Sequence, residues 1–171
     1  MSKDNIRRSI EKEISHLKNN PNKTISTDMS ATAILERGLK CRAEGPNGMI
    51  LISDMPKSLG GEASAPTPGW FLRAAMATCN ATEIAMKAAL EGIELSTLEV
   101  TVDSVSDERG IFGIDESLKA GPSNMRTRVR IGAKGATNDK LYEIVTWAEK
   151  HAWVVNAICR TVPNKTEIEI L

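Results

Sequence analysis

The segment that decides the fold is Gly69-Trp-Phe-Leu-Arg-Ala-Ala-Met-Ala-Thr-Cys-Asn-Ala-Thr-Glu-Ile-Ala-Met-Lys-Ala-Ala-Leu90. It directly follows Pro68, and proline suits the first turn of a helix. Steps of four and three residues gather one set of side chains on a single helical face. That set is Leu72, Met76, Cys79, Glu83, Met86 and Leu90. The neighbouring set is mostly small, comprising Phe71, Ala75, Thr78, Thr82, Ala85 and Ala89. The spacing predicts a long helix buried on both faces, with the Cys79 thiol toward a core or an interface.

Cys79 has two interpretations at this stage. A free cysteine commonly behaves as a small buried hydrophobe, which favours an inert core residue. Glu83, one turn later on the same face, does not fit that interpretation, because carboxylates are almost never buried without a partner. Glu83 therefore predicts a cationic neighbour. Since a negative charge nearby disfavours a thiolate, a reactive thiol here needs an arginine as well.

Arg37 is the candidate for that arginine. The segment from Ala33 to Glu44 alternates with a period of two, which is typical of a strand. In a continuous strand Arg37 shares the inward face with Leu35, Leu39, Cys41 and Ala43. Alternatively, Gly38 marks a bulge or turn that rotates Arg37 outward as an ordinary surface charge. The sequence leaves both alternatives open.

Composition excludes several classes of function. The 171 residues fit one domain, and 22 basic residues balance 22 acidic ones, so no net charge favours nucleic acid or an anionic membrane as a partner. The N-terminus lacks a signal-peptide pattern and no apolar run has spanning length, so we expect a cytoplasmic protein. Three cysteines argue against a disulfide framework. The two histidines lack metal-ligand spacing, and no nucleotide-binding glycine motif occurs, so we expect neither a metal nor a cofactor.

The remaining patterns predict an α+β fold, because strands and helices come in blocks rather than in strict alternation. An amphipathic helix is expected over residues 4–19, within an N-terminal helix and linker of residues 1–24 that precedes a main domain of residues 25–171. Other expected elements are a hairpin over residues 31–53, strands over 98–104, 124–132 and 166–170, a long loop over 107–123, and helices over 138–151 and 154–160. Three arginines share one strand face, which we interpret as a solvated sheet surface rather than a binding patch. They are Arg126, Arg128 and Arg130.

Several short motifs together resemble the osmotically inducible protein C and organic hydroperoxide resistance (OsmC/Ohr) family over roughly residues 31–171. They are Ala31-Thr-Ala, Gly38-Leu-Lys, Ser53-Asp-Met-Pro, Gly60-Gly61, Ala65-Pro-Thr-Pro68, Leu72-Arg-Ala-Ala-Met-Ala-Thr-Cys79, Gly92-Ile-Glu-Leu95, Leu98-Glu-Val-Thr-Val102 and Ala148-Glu-Lys-His151. The resemblance implies an intertwined α+β homodimer with an antiparallel-rich sheet around a long central helix. It also implies a cysteine that reduces organic hydroperoxides, assisted by an arginine and often a glutamate, without metal or organic cofactor.

Transferred to this chain, the resemblance makes Cys79 the attacking cysteine and Arg37 the arginine that holds its thiolate. The thiolate attacks the distal peroxide oxygen, an alcohol leaves, and Cys79 becomes a sulfenic acid. The organic-hydroperoxide branch has an acidic residue where this chain has Gly69-Trp70. Glu83 is our hypothesis for the residue that holds the arginine instead.

The second cysteine of the family, in a His-Cys-Pro-Val type of stretch, is missing. Here that stretch reads His151-Ala-Trp-Val154, and Ala152 cannot resolve a sulfenic acid. Cys159 lies seven residues further on, roughly 10 Å along a continuous helix. A disulfide needs Cα atoms within about 7 Å, so Cys159 does not simply replace the missing thiol. Cys41 is the other candidate resolver.

These observations predict a one-cysteine, peroxidase-like enzyme whose sulfenic acid is reduced by an external thiol, either a small molecule or a protein. The alternative is a non-catalytic or redox-sensing dimer that binds an apolar ligand in a cleft at its interface. A purely structural, stress-associated dimer is a third interpretation.

Overall fold

The computed structural model describes residues 3–171 of the chain. Its helices are α1 (Lys3–Asn19), α2 (Pro68–Leu90), α3 (Glu108–Ile111), α4 (Asn138–His151) and α5 (Trp153–Cys159). Its strands are β1 (Thr32–Arg37), β2 (Lys40–Glu44), β3 (Ile50–Ser53), β4 (Leu95–Ser106) and β5 (Pro122–Ala133). The architecture is the predicted mixture of helices and antiparallel sheets, with β1-β2-β3 in one sheet and β4-β5 in another.

The long helix and its termination agree with the sequence pattern. α2 begins at Pro68 and ends at Leu90, after which Gly92 takes a φ of 72°. This left-handed conformation is easily adopted by glycine, and it lets the next amides bond back to the last turn. The Gly92 N–H donates to the Ala89 carbonyl at 3.0 Å, and the Ile93 N–H donates to the Ala88 carbonyl at 2.8 Å.

Of the two alternatives for the segment from Ala33 to Glu44, the structure does not adopt the continuous strand. Gly38 adopts a φ of 58° in a turn between β1 and β2, which pair antiparallel with Leu35 opposite Cys41. The register shifts between Leu35 and Arg37. The turn alternative for Gly38 is therefore the one that the structure adopts, because a positive φ at glycine reverses the chain there at little steric cost.

The expectation of a final strand over residues 166–170 is also wrong for the described chain. Residues 160–171 have no regular secondary structure, and no described strand pairs with them. Ile168 and Ile170 are 82% and 90% exposed. Alternation of apolar residues favours a strand only when a neighbouring strand accepts its backbone hydrogen bonds.

The chain divides into two compact units. Unit 1 comprises residues 3–8, 75–101 and 127–171 of the described chain, and unit 2 comprises residues 9–74 and 102–126. In unit 1, Ile84 and Ala88 of α2 pack with Ile144 and Ala148 of α4. Apolar side chains of β4 and β5 cover this cluster, including Leu98, Val100, Val129 and Ile131. The helix that carries Cys79 is therefore anchored to the core of unit 1.

Unit 2 contains the three-stranded sheet and the loop that follows β3. The loop between β4 and β5, predicted as irregular over residues 107–123, includes the short helix α3. The Asp107 side chain caps α3 by accepting a 3.0 Å hydrogen bond from the Arg109 amide. The predicted domain boundary near residue 24 stays a prediction.

The arginines of β5 lie on a face with carboxylates from β4. Within unit 2, Arg126 forms a 3.1 Å ion pair with Asp103, and within unit 1, Arg130 forms a 2.6 Å ion pair with Glu99. These side chains are largely exposed, so the pairs are solvated cross-strand contacts. This arrangement agrees with the interpretation of a solvated sheet surface. None of the helices described over residues 3–171 combines the length and the apolar character that a bilayer crossing requires.

Candidate functional site

Cys79 lies at the edge of the core rather than at its centre. The buried residues of α2 include Met76, Asn80, Ile84 and Ala88. This buried face is displaced from the predicted one, which contained Cys79 and Glu83. Cys79 is half-buried. The small stripe that we expected to be buried is exposed at Ala75, Thr78 and Thr82. The thiol is thus held against the core but is not sealed in it.

The sulfur of Cys79 accepts a hydrogen bond from a backbone amide. The Val154 nitrogen lies 3.4 Å from Cys79 Sγ, and both residues belong to unit 1. α4 ends at His151, Ala152 has extended backbone, and α5 begins at Trp153, so Val154 is in the first turn of a helix. Amides in that turn have no acceptor within their own helix. The helix junction therefore supplies Cys79 with a directed N–H donor.

The stretch that matched the second cysteine of the family does lie beside Cys79. Ala152 is fully buried, two residues before the Val154 contact, and it carries no thiol. Cys159 is exposed at the end of α5, five residues beyond Val154, which is about 7.5 Å along the helix. Cys41, Cys79 and Cys159 are all free thiols.

Arg37 lies in unit 2 and is bound to a carboxylate there. Its side chain is 75% exposed, and its Nη2 donates 2.8 Å hydrogen bonds to both oxygens of Glu62. Cys79 belongs to the other unit. The pairing of Arg37 with the Cys79 thiolate therefore stays a prediction.

Glu62 is presented by a loop that is organised around one buried carboxylate. Asp54 is 1% exposed and accepts hydrogen bonds from the amides of Met55 (2.7 Å), Glu62 (3.2 Å) and Ser64 (2.9 Å), and from the Ser64 hydroxyl at 2.8 Å. The Ser64 amide is the largest cause that holds the pKa of Asp54 below its ordinary value of 3.8. At Gly61 an added Cβ would lie 2.0 Å from the Met55 carbonyl oxygen, so only glycine fits there.

Glu83 does not show the cationic partner that its position predicted. It is half-buried, and no residue of the described range 3–171 donates a hydrogen bond to it. Lys87, one turn later on α2, instead forms a 2.7 Å ion pair with Glu91. A half-buried carboxylate retains water on its open side, which explains how Glu83 tolerates this position. Its role toward an arginine stays a prediction.

Sequence reasoning missed Val154, Glu62 and Asn80. Asn80 follows Cys79 and is 3% exposed, and its Nδ2 has no hydrogen-bond partner among the described residues. The two helices predicted over residues 138–151 and 154–160 implied a junction whose amides lack partners within a helix. No local sequence pattern, however, related Val154 to Cys79. Among residues 3–171, no group of three or more His, Cys, Asp or Glu side chains is arranged to hold a metal ion.

Comparisons with known proteins agree on one family. A model of the OsmC-like protein family matches residues 61–167. No curated protein matches the chain in sequence. A solved OsmC-like protein from Mycoplasma pneumoniae is 16% identical with a TM-score of 0.66, and the match covers 79% of this chain and 89% of that one.

Two further solved structures carry names that include an activity. The organic hydroperoxide resistance protein OsmC from Legionella pneumophila is 22% identical, with a TM-score of 0.53 and coverage of 79% of this chain and 91% of that one. An organic hydroperoxide resistance protein from Elizabethkingia anophelis is 19% identical, with a TM-score of 0.57 and coverage of 79% and 89%. Identities this low show a shared fold and no more. Because the family model spans more than half of the sequence, the chain belongs to the OsmC-like family.

Proposed function

We propose that this protein reduces organic hydroperoxides, with the Cys79 thiolate as the group that attacks the peroxide. The observation that carries the proposal is the contact between Cys79 and Val154. It holds the sulfur of the half-buried Cys79 on the central helix, with a backbone donor directed at it. The family supports the same chemistry, because some of its solved members are named organic hydroperoxide resistance proteins.

In the proposed reaction the thiolate forms a bond to the distal peroxide oxygen as the O–O bond breaks. The leaving alkoxide takes up a proton and departs as an alcohol, and Cys79 becomes a sulfenic acid. Because Ala152 offers no resolving thiol, the reductant is an external thiol. That thiol attacks the sulfur and releases water, and a second thiol then frees Cys79.

Arg37 is proposed to stabilise the thiolate, and Glu83 is proposed to orient Arg37. A guanidinium has five N–H donors, and Glu62 engages only Nη2, so other donors of Arg37 can bind a second anion. The role of Glu83 is testable because Glu83→Gln keeps the side-chain shape and removes the charge. We expect this substitution to slow oxidation of Cys79 by an organic hydroperoxide.

The assembly is proposed to be a homodimer in the cytoplasm. Apolar side chains lie exposed in both units, which supports a further copy that covers them. They include Ile34, Leu35, Ile50 and Leu51 in unit 2, and Ile168, Ile170 and Leu171 in unit 1. Light scattering coupled to size-exclusion chromatography measures the oligomeric state directly. Free thiols suit a reducing compartment.

Stopped-flow oxidation by cumene hydroperoxide tests the proposed reaction. We expect Cys79→Ser to abolish peroxide consumption, and Cys159→Ser, at an exposed position, to retain it when a small thiol is supplied. If Cys79→Ser consumes peroxide as fast as the unmodified protein, Cys79 is not the attacking residue.

A second candidate function is binding of an apolar ligand without turnover. Unit 1 contains a cavity of about 430 Å³ between β5 and α4, lined by apolar groups such as Val129, Ile131, Leu141 and Val145. Such clefts suit apolar small molecules. This function is supported if Cys79 does not react with hydroperoxides while calorimetry detects binding of an apolar molecule, and Val145→Asp abolishes that binding.

A further inference from the structure

The Val154 amide is chemically available to the sulfur of Cys79. Among residues 3–171, this N–H donates its hydrogen bond to Cys79 Sγ, at 3.4 Å. The first hydrogen bond inside α5 is made by Asn156, whose N–H donates to the Ala152 carbonyl at 3.0 Å. A covalent bond at the Val154 nitrogen would therefore break no hydrogen bond of the helix.

No thiol competes with this amide at the same distance within unit 1. Ala152, next to this contact in the chain, carries no thiol, and Cys159 lies about 7.5 Å further along α5 from Val154. The Val154 nitrogen, in contrast, is already in contact with the sulfur. After oxidation, the Val154 backbone nitrogen is thus a nucleophile already in contact with the sulfur.

We infer that the sulfenic acid of Cys79 condenses with the Val154 backbone amide to form a sulfenamide. The inference rests on the proposed function, because an organic hydroperoxide supplies the oxidation to sulfenic acid. The nitrogen attacks the sulfur, the S–O bond breaks, and the hydroxyl leaves as water with the amide hydrogen. The sulfur keeps its oxidation state in this step, so no further oxidant is needed.

The sulfenamide changes how the enzyme is reduced and how it survives excess peroxide. An external thiol attacks the sulfur, the S–N bond breaks, and the Val154 N–H is restored as a mixed disulfide forms. A second thiol then frees Cys79. While the S–N bond lasts, the sulfur is blocked from the irreversible steps to sulfinic and sulfonic acid. The amide thereby takes the protective role that a resolving cysteine would have.

Mass spectrometry of a variant that has only Cys79 tests this inference. In the Cys41→Ser/Cys159→Ser variant no disulfide can form within one chain, so a cross-link between Cys79 and a different peptide must involve an atom other than a cysteine sulfur. Trypsin cleaves after Arg73 and Lys87, and after Lys150 and Arg160, which yields peptides 74–87 and 151–160. After one equivalent of cumene hydroperoxide without thiol, we expect these peptides to be joined, with the mass of their sum less two hydrogen atoms.

Fragmentation is expected to place the link between Cys79 and the nitrogen of Val154, and dithiothreitol is expected to remove it. Val154→Pro in the same background removes the amide hydrogen at a position in the first helical turn, where proline is tolerated. With circular dichroism confirming the fold, we expect that variant, which lacks the N–H donor to the sulfur, to be oxidised at Cys79 more slowly and to form no cross-link.

Three results would overturn the inference, and they are distinguishable. If Cys79 gains one oxygen, reacts with dimedone and forms no cross-link, the sulfenamide is wrong and the proposed reaction stands. If Cys79 stays a thiol after peroxide treatment, the proposed function itself is wrong. A cross-link that persists in the Val154→Pro variant would also refute the assignment to this amide.

Discussion

Arg37 donates two 2.8 Å hydrogen bonds from Nη2 to the two carboxylate oxygens of Glu62. Both side chains are exposed, and the Glu62 amide is in turn bound to the buried Asp54 carboxylate. An exposed ion pair contributes little to stability. The ion pair instead orients the Arg37 side chain, because Glu62 engages only Nη2 and leaves the other guanidinium donors available to an anion.

The first prediction concerns Arg37. If it stabilises the thiolate, Arg37→Ala will slow oxidation of Cys79 by cumene hydroperoxide by about 100-fold, the magnitude found when one donor to a reacting anion is removed. Stopped-flow tryptophan fluorescence measures this rate. The matched control is Arg42→Ala in β2, whose guanidinium pairs with Glu36 at 2.9 Å. Equal rates for Arg37→Ala and Arg42→Ala would exclude Arg37 from the reaction.

The second prediction concerns acid stability. The folded state lowers the pKa of Asp54, chiefly through the hydrogen bond from the Ser64 amide. Asp54 therefore stabilises the fold at pH values above its ordinary pKa of 3.8. That contribution is lost as the pH falls through the lowered value. In urea unfolding at pH 6, the free energy of unfolding of Asp54→Asn is expected to lie well below that of the unmodified protein. The difference between the two is expected to narrow toward pH 3. A gap that stays constant with pH would contradict a charged Asp54 in the loop.

The third prediction concerns the core of unit 1. Ile144 is fully buried against α2, so Ile144→Ala should reduce the free energy of unfolding by about 2–5 kcal/mol. Tyr142, on the same helix, is 76% exposed and provides the control. Tyr142→Ala should change the free energy of unfolding by less than about 0.5 kcal/mol. Thermal denaturation at one fixed protein concentration measures both. Similar losses for the two variants would show that α4 does not pack as described.

The fourth prediction concerns Asn80. Its buried Nδ2 lacks a partner among the described residues, so replacement by an apolar side chain of similar size removes a desolvation cost. We expect Asn80→Leu to retain or raise the midpoint of chemical denaturation. Asn80→Asp places a charge at the same buried position and should lower that midpoint strongly. A large loss for Asn80→Leu would mean that the amide is satisfied by a group outside the described residues.

Local patterns predicted the helices well and the burial of their faces less well. α2 and α4 were predicted within a residue of their observed ends, because Pro68, Gly92 and the apolar spacing act within one helical segment. The buried face of α2 was misjudged, since Asn80 interrupts the apolar pattern but lies inside the core. The face that is buried depends on packing against α4, which the sequence pattern of α2 alone does not reveal.

In the candidate site, too, the sequence could identify one residue but could not predict its contacts. Cys79 could be identified from its helix and from the motifs that resemble the OsmC/Ohr family. The contact with Val154, 75 residues further along the chain, could not be predicted from spacing. The same holds for the pairing of Arg37 with Glu62, which depends on a glycine turn at Gly38 and on the loop around Asp54.

The sequence by itself determined the long cysteine-bearing helix, the α+β class and the absence of a thiol at Ala152, because each is a matter of residue type and short-range spacing. Only the tertiary structure decided which groups meet: Val154 contacts the sulfur of Cys79, and Glu62 pairs with Arg37. It also leaves residues 166–170 without a neighbouring strand among the described residues. The physical reason is that hydrogen bonds between distant segments depend on how the helices and sheets pack, and this packing is a property of the whole chain.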